Sequence, residues 1–341
     1  MIHARKETTG REMGEEYAVL TGEAAGQRLK QAEPDAGGVV PLWHEVPSLP
    51  AQAGDYYGLA LLKEPVWIWS VPAYFYVGGV AGGGAVLAAA LHGKRPLRRL
   101  AAWCRVLAFL GTTVGPALLT YDLGRMSRFL NMLRVFRPSS PMSVGSWSLA
   151  GTGMVATLAL LQGDRASAKP AHLATALGGL MVAGYTGVLL GNSANPLWQD
   201  RRRLLPLLFI SSAVASTAGV LEMMPLDRKE EGVVQRFGVA GKAGEAACML
   251  AMEHVHQSTP EAAVAMKKGK GGVLWQAAKV ALVAGILVEL VPGRSPTKRK
   301  ISGALTTLGA VCLRFALLET GRTAAREPLA ATRPQRRKMG W

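Results

Sequence analysis

Cysteine is scarce in this sequence of 341 residues, and the three cysteines (Cys104, Cys248 and Cys312) are isolated from one another. No C-x-x-C pair occurs, whereas iron–sulfur clusters and cysteine zinc sites need closely spaced thiolates. A bis-histidine haem needs axial histidines that face each other from membrane spans, and His92 and His172 fall at loop edges. We therefore expect no haem, no iron–sulfur cluster and no other metal site in this chain.

Acidic residues are also under-represented, since 23 Asp and Glu stand against 39 Lys and Arg, and the net charge is +16. In a soluble chain this charge would suggest nucleic-acid binding, but no RNP, zinc-finger or helix-turn-helix pattern is present. The basic residues fall mainly in short segments between apolar runs and near the C-terminus, as in proteins that contact anionic membrane lipid. We expect membrane lipid as a partner and no nucleic acid.

Long apolar runs dominate the rest of the sequence, with 49% hydrophobic residues and a mean hydropathy of +0.18. The runs are about 20 residues or longer, the length at which a helix crosses a bilayer. They predict an all-α integral membrane protein, a polytopic bundle of about eight transmembrane helices with both termini on one side. The predicted spans are residues 66–91, 97–121, 142–161, 173–191, 204–226, 233–254, 273–291 and 301–318.

Three regions follow from this pattern. Residues 1–64 are polar and contain no apolar block, so we predict a disordered N-terminal extension. Residues 65–319 form the predicted transmembrane domain. Residues 320–341 form a basic C-terminal tail that is expected to anchor to the membrane surface.

A polar connector, residues 122–141, joins the second and third predicted spans. Its apolar residues recur at helical spacing with arginines between them, which predicts a short amphipathic helix in the membrane interface. Pro138 and Pro141 are expected to end that helix. A solvated loop along the membrane surface is the simpler alternative. The connector arginines, which would suit an acidic docking face on a partner protein, are Arg125, Arg128, Arg134 and Arg137.

The connector and the start of the third span read D-L-G-R-M-S-R-F-L-N-M-L-R-V-F-R-P-S-S-P-M-S-V-G-S-W. This run closely resembles the connector of the NrfD/polysulfide reductase membrane-subunit family. The G-G-V-A-G-G-G run of the first span and the Y-T-G … P-L-W pattern that follows from the fourth span extend the resemblance over roughly residues 56–225.

The resemblance implies a subunit of a respiratory oxidoreductase complex in the bacterial cytoplasmic (inner) membrane. Such a subunit binds quinone (menaquinone or ubiquinone) and exchanges electrons with a ferredoxin-like iron–sulfur subunit. A molybdopterin or multihaem catalytic subunit often lies beyond that partner. The resemblance also implies quinone contacts at Tyr185 and at Tyr74. At the position of Tyr74, the polysulfide reductase branch has histidine.

An even number of crossings places the start of the first span, the connector and the exit of the fourth span on one side, here named the connector face. Tyr74, Asp122 and Tyr185 are therefore expected to converge in one half of the membrane. Tyrosine offers an apolar ring with a hydroxyl for quinone oxygens, and a carboxylate can accept protons. The alternatives are packed or interfacial tyrosines, and an Asp122 that caps a helix or pairs with Arg125.

Acidic residues in the later spans are costly unless they face the bundle interior or form ion pairs. Glu222 and Glu245 are predicted to transfer protons and so to be catalytic together with Asp122. A structural alternative is an ion pair between Glu245 and Lys242, which lies one helical turn earlier.

Two other functions stay open from the residues alone. A proton-coupled membrane transporter would use the same buried carboxylates, but it predicts an internal repeat, and none is evident in the sequence. A non-catalytic membrane anchor would keep the docking connector and would tolerate the loss of Tyr74, Tyr185 and Asp122.

Overall fold

The computed structural model describes residues 62–254, 264–293 and 295–326. Most of the predicted N-terminal extension, and residues 327–341 of the predicted tail, lie outside these ranges. Every regular element within them is helical, which confirms the predicted all-α fold.

Ten α-helices follow one another in the described residues. They are α1 (Ser70–Leu91), α2 (Arg98–Leu123), α3 (Met126–Met132), α4 (Pro141–Gln162), α5 (Lys169–Gly191), α6 (Pro196–Asp200), α7 (Leu204–Glu222), α8 (Arg228–His254), α9 (Gly269–Leu290) and α10 (Pro296–Arg326). Seven of them, all except α3, α6 and α8, have the length and hydropathy of a membrane span. They confirm the prediction of a polytopic helical membrane protein.

Helix α8 covers the sixth predicted span and is more polar than the other long helices. It packs against α7. At its start, the Glu230 carboxylate accepts a hydrogen bond of 3.2 Å from the backbone N–H of Leu100, near the beginning of α2. Near its end, the Met252 carbonyl accepts one of 2.9 Å from Arg201, just before α7. Helix α8 therefore extends from one face of the bundle to the other.

The charged side chains in the middle of α8 face inward. Lys242 and Glu245 are 1% and 2% exposed, whereas Val239 and Leu250 are 49% and 52% exposed. The helix thus presents apolar side chains outward and charged side chains to its neighbours. A bilayer requires this distribution, because charged groups within membranes face the bundle interior.

Helix α1 occupies the centre of the bundle and packs against α2, α5, α7 and α10. Its glycines permit this close approach, since a Cβ atom on Gly82 would lie 2.9 Å from the Cβ atom of Ala183 in α5. On another side, a Cβ atom on Gly83 would lie 2.9 Å from the carbonyl oxygen of Ala213 in α7. The G-G-V-A-G-G-G run is therefore a helix-packing surface.

Helix α10 is longer than predicted, because it continues through residues 320–326, which the sequence assigns to the basic tail. Thr320 and Ala324 are buried there. Nearby, the indole N–H of Trp198 donates a hydrogen bond of 3.1 Å to the Leu317 carbonyl. Tertiary packing thus holds this last part of the helix, and hydropathy alone does not register such packing.

The connector is less helical than predicted. Helix α2 ends where Gly124 adopts a left-handed φ of 71°, and α3 ends well before Pro138. The Ser143 hydroxyl accepts a hydrogen bond of 3.0 Å from the Arg137 N–H and donates one of 3.3 Å to the Val135 carbonyl. Because these bonds satisfy backbone groups that a longer helix would use, the chain turns here before α4.

Candidate functional site

One cavity lies between α1, α2, α3, α4 and α5 on the connector face. Its volume is about 60 Å³, and its lining is mainly apolar. Tyr74, Asp122 and Tyr185 all line it, so the structure brings these three residues together. Other residues of its wall include Trp67, Met132, Met142, Gly145 and Ser146.

Tyr74 is 2% exposed and stands in the wall formed by α1. Its ring packs against Gly115 of α2, where an added Cβ atom would lie 3.1 Å from a ring carbon. Gly115 therefore leaves the space that the ring occupies. In the described part of the chain, the Tyr74 hydroxyl has no hydrogen-bond partner, so it can bind a molecule in the cavity.

Tyr185 approaches the cavity from α5 and is partly buried. Its ring lies directly over Gly145 of α4, so closely that a Cβ atom there would overlap the ring and the hydroxyl. The glycine is thus required for the observed position of this ring. Within the described ranges, the Tyr185 hydroxyl also has no hydrogen-bond partner.

Asp122 lies in the last turn of α2, and one carboxylate oxygen accepts a hydrogen bond of 3.1 Å from the backbone N–H of Ile68. The alternative pairing with Arg125 does not occur among the described ion pairs. The carboxylate instead holds the segment immediately before α1. Because Trp67 of this segment lines the cavity, Asp122 also positions part of the cavity wall.

The structure gives Trp67 a specific place beside the cavity. Its ring stacks on Trp198 at 6.0 Å and meets Phe75 edge-on at 6.3 Å. Arg322 of α10 donates a hydrogen bond of 3.3 Å to the Pro65 carbonyl and a second one to the Trp67 carbonyl. The segment is therefore fixed to α10 at one end and to α2 at the other.

All four connector arginines are exposed on the connector face. Arg128 donates a hydrogen bond of 3.0 Å to the Leu123 carbonyl at the end of α2, which satisfies a carbonyl without a partner in the helix. Leu130 and Phe136 are 61% and 54% exposed beside them. The connector thus presents basic and apolar side chains together, as a membrane interface or a protein partner would require.

The predicted proton-transfer residue Glu222 lies in the other half of the bundle, at the end of α7. The ammonium group of Lys242 lies 3.5 Å from Glu222 and 2.5 Å from Glu289 of α9. Lys242 therefore pairs with acids on two other helices, and the alternative pair with Glu245 on its own helix is not among the described ion pairs. The spacing within α8 allowed that pair, but the contacts between helices are shorter.

Glu245 is buried one turn further along α8 and interacts with Ser212 and Arg314. The guanidinium carbon of Arg314 lies 4.1 Å above the ring of Phe209. Two of the guanidinium nitrogens of Arg314 are buried without a hydrogen-bond partner in the described residues. The structure therefore places Glu245 opposite a buried cation, away from the cavity.

Two histidines form a cluster that sequence reasoning missed. The ring centroids of His92 and His172 are 4.4 Å apart. Asp164 lies 3.9 Å from His92 and 3.0 Å from the buried Arg105. The four residues come from separate segments, so no spacing signals their contact. In the ranges that the structure describes, no group of three or more His, Cys, Asp or Glu could hold a metal ion.

A family model of the NrfD type, described as polysulfide reductase, matches residues 54–327, which is more than half of the chain. The matched range includes every helix from α1 to α10 and all residues that line the cavity. A comparison with curated proteins finds no match.

Proposed function

Because the chain belongs to the NrfD-type polysulfide reductase family, a family of membrane subunits of respiratory oxidoreductase complexes, we propose that it binds quinone or quinol in the cavity on the connector face. It exchanges electrons between the membrane quinone pool and an iron–sulfur partner subunit. The substrate is menaquinone or ubiquinone, and the location is the bacterial cytoplasmic membrane.

The observation that carries this proposal is the pair of tyrosine hydroxyls at one apolar cavity. A quinone is a flat apolar ring with oxygen atoms at opposite edges, so it needs an apolar slot with a few placed polar groups. Tyr74 and Tyr185 reach the cavity from different helices and have hydroxyls that can donate to a quinone oxygen or accept from a quinol.

Binding of the ring requires the cavity wall to move, because a cavity of about 60 Å³ holds only a few water molecules. Met132 and Met142 line it, and methionine side chains adjust readily to the shape of a bound molecule. The segment around Trp67 is the other candidate for movement, since it is held mainly by hydrogen bonds at its two ends.

Oxidation of a quinol releases two electrons and two protons. Asp122 can accept a proton that the quinol releases, because its carboxylate lines the cavity. Glu222 and Glu245 are buried on the far side of α1, and we assign them to proton movement beyond the cavity. The electrons pass to the iron–sulfur cluster of the partner, which supplies the redox metal.

The exposed connector arginines provide the proposed docking surface for a ferredoxin-like partner with an acidic face. Charge reversal of Arg125 and Arg134 together should abolish co-purification of that partner, because each substitution replaces attraction by repulsion. Reversal of Arg203, which is exposed on the same face outside the connector, is the matched control. Equal loss in both variants would contradict a docking role for the connector.

The first experiment is gentle purification from native membranes, followed by mass spectrometry of co-purifying proteins and extraction of bound lipids. We expect an iron–sulfur protein, a molybdopterin or multihaem catalytic subunit, and a quinone. In the variant with both Tyr74→Phe and Tyr185→Phe, the quinone content should fall. The control is Tyr121→Phe, since Tyr121 is 61% exposed and does not line the cavity. Unchanged quinone content in the double variant would refute the assigned site.

A further inference from the structure

Three charged residues meet in the interior of the bundle, each from a different helix. This triad consists of Glu222 (α7), Lys242 (α8) and Glu289 (α9). The side chains are 4%, 1% and 13% exposed, respectively, so Glu289 is the member nearest to water. The hydroxyl of Ser302 (α10) completes the group, at 3.1 Å from the Lys242 nitrogen and 3.2 Å from a Glu289 oxygen.

The triad contains two carboxylates but only one cationic group. Two ionised glutamates and one ammonium would leave a net charge of −1 in a buried site, and desolvation makes an unpaired buried charge strongly unfavourable. Addition of one proton to the triad removes this excess charge.

Neighbouring cations are already committed to other groups. Arg299 donates hydrogen bonds of 3.0 Å and 2.9 Å to the Glu222 and Met224 carbonyls at the end of α7. Lys298 binds the Glu289, Val291 and Gly293 carbonyls at the end of α9. One turn further along α8, the Glu245 carboxylate interacts with the Arg314 guanidinium.

The geometry distinguishes the two carboxylates. Glu289 has the ammonium at 2.5 Å and the Ser302 hydroxyl at 3.2 Å, which together stabilise an ionised group. Glu222 lies 3.5 Å from the ammonium, and its oxygen Oε2 is buried without a hydrogen-bond partner in the described residues. An ionised carboxylate with a bare buried oxygen is much less favourable than a neutral carboxyl group.

We propose that Glu222 is neutral and holds one exchangeable proton, so that the triad is a proton-binding site of the membrane interior. The proton enters at Glu289. The Lys242 ammonium then gives a proton to the Glu222 carboxylate, and the resulting amine takes the proton from Glu289, so the number of protons is conserved. Use of this proton during quinol oxidation rests on the proposed function, whereas the protonation itself does not.

Infrared difference spectroscopy of the purified, quinone-depleted protein at neutral pH tests the site. We expect one carboxyl C=O band that shifts in D2O and disappears in Glu222→Gln. It should also disappear in Glu289→Gln, because the remaining carboxylate then pairs with Lys242 and needs no proton. The matched control is Glu253→Gln, since Glu253 accepts from Trp275 at 2.7 Å and from Lys279 at 2.9 Å and is expected to be ionised.

One further variant tests whether charge is the reason for the protonation. Lys242→Met should add a second carboxyl band, because both glutamates then lack a counter-charge. A band that persists in Glu222→Gln, or that is absent from the native protein, would overturn the proposal. None of these outcomes depends on quinone binding.

Discussion

The position of the Tyr185 ring over Gly145 yields a test of the cavity with a built-in control on the same helix. An added Cβ atom at Gly145 would overlap the ring, so Gly145→Ala forces Tyr185 away from its observed position. Overpacking of this kind costs about 1–3 kcal/mol of stability. Loss of one hydrogen bond from the Tyr185 hydroxyl costs about 1 kcal/mol of binding free energy. At 1.4 kcal/mol per tenfold, that is about a fivefold rise in the Kd of a quinol.

The control is Gly151→Ala, since no atom lies within 4 Å of the position that a Cβ atom would take there. Alanine in place of an exposed helical glycine stabilises by about 1 kcal/mol, so binding should not weaken. Calorimetric titration of the detergent-solubilised protein with a short-chain quinol analogue measures the Kd of each variant. A third variant, Tyr185→Phe, removes the hydroxyl without the clash and should show the fivefold effect alone. Equal affinity in Gly145→Ala and the native protein would refute the assignment of Tyr185 as a ligand.

Three further outcomes follow from single contacts. Asp122→Ala should lower the free energy of unfolding in detergent by about 2 kcal/mol, because the hydrogen bond from the Ile68 N–H is lost. Asp122→Asn keeps an oxygen that accepts this hydrogen bond, so it should lose mainly quinol oxidation, as assayed with an artificial electron acceptor. Lys242→Met should destabilise the protein by about 3–5 kcal/mol at neutral pH, because folding must then add a proton to a second glutamate, and by less in acid, where the unfolded chain already carries that proton; a pH-independent loss in thermal unfolding would contradict this. The pKa of Glu64 lies below its usual value because Arg326 binds both carboxylate oxygens, so this contact should persist at the ordinary glutamate pKa. It should open only as the pH falls through the lowered pKa, as seen by faster amide exchange in residues 62–69.

Much of the fold could be predicted from the sequence because membrane spans depend on a local property, the length of an apolar run. The even number of crossings then placed Tyr74, Asp122 and Tyr185 on one face without any knowledge of contacts. Helix α8 was also predicted, although Lys242 and Glu245 lower its hydropathy, because its outward side chains remain apolar.

The contacts within the site could not be predicted, since they join residues that are far apart in the chain. Nothing at Asp122 indicates that its carboxylate binds the Ile68 N–H, and the local alternative, Arg125, was the wrong partner. Lys242 likewise had an acid at helical spacing, yet it pairs across helices with Glu289. Helical spacing identifies neighbours on one helix only, and in a bundle the decisive partners lie on the adjacent helices.

Helix α1 is the element that the cavity and the buried charges have in common. Tyr74 faces the cavity, whereas a Cβ atom on Gly79 would lie 3.6 Å from the Arg314 guanidinium on the other side of the helix. The Thr217 hydroxyl of α7 also donates a hydrogen bond of 3.1 Å to the Val80 carbonyl. Glycine packing leaves α1 little room, so a displacement of α1 at the proposed quinone site would reach the surface that contacts Arg314. Helix α1 therefore lies between the proposed quinone site and Arg314, the buried cation that interacts with Glu245.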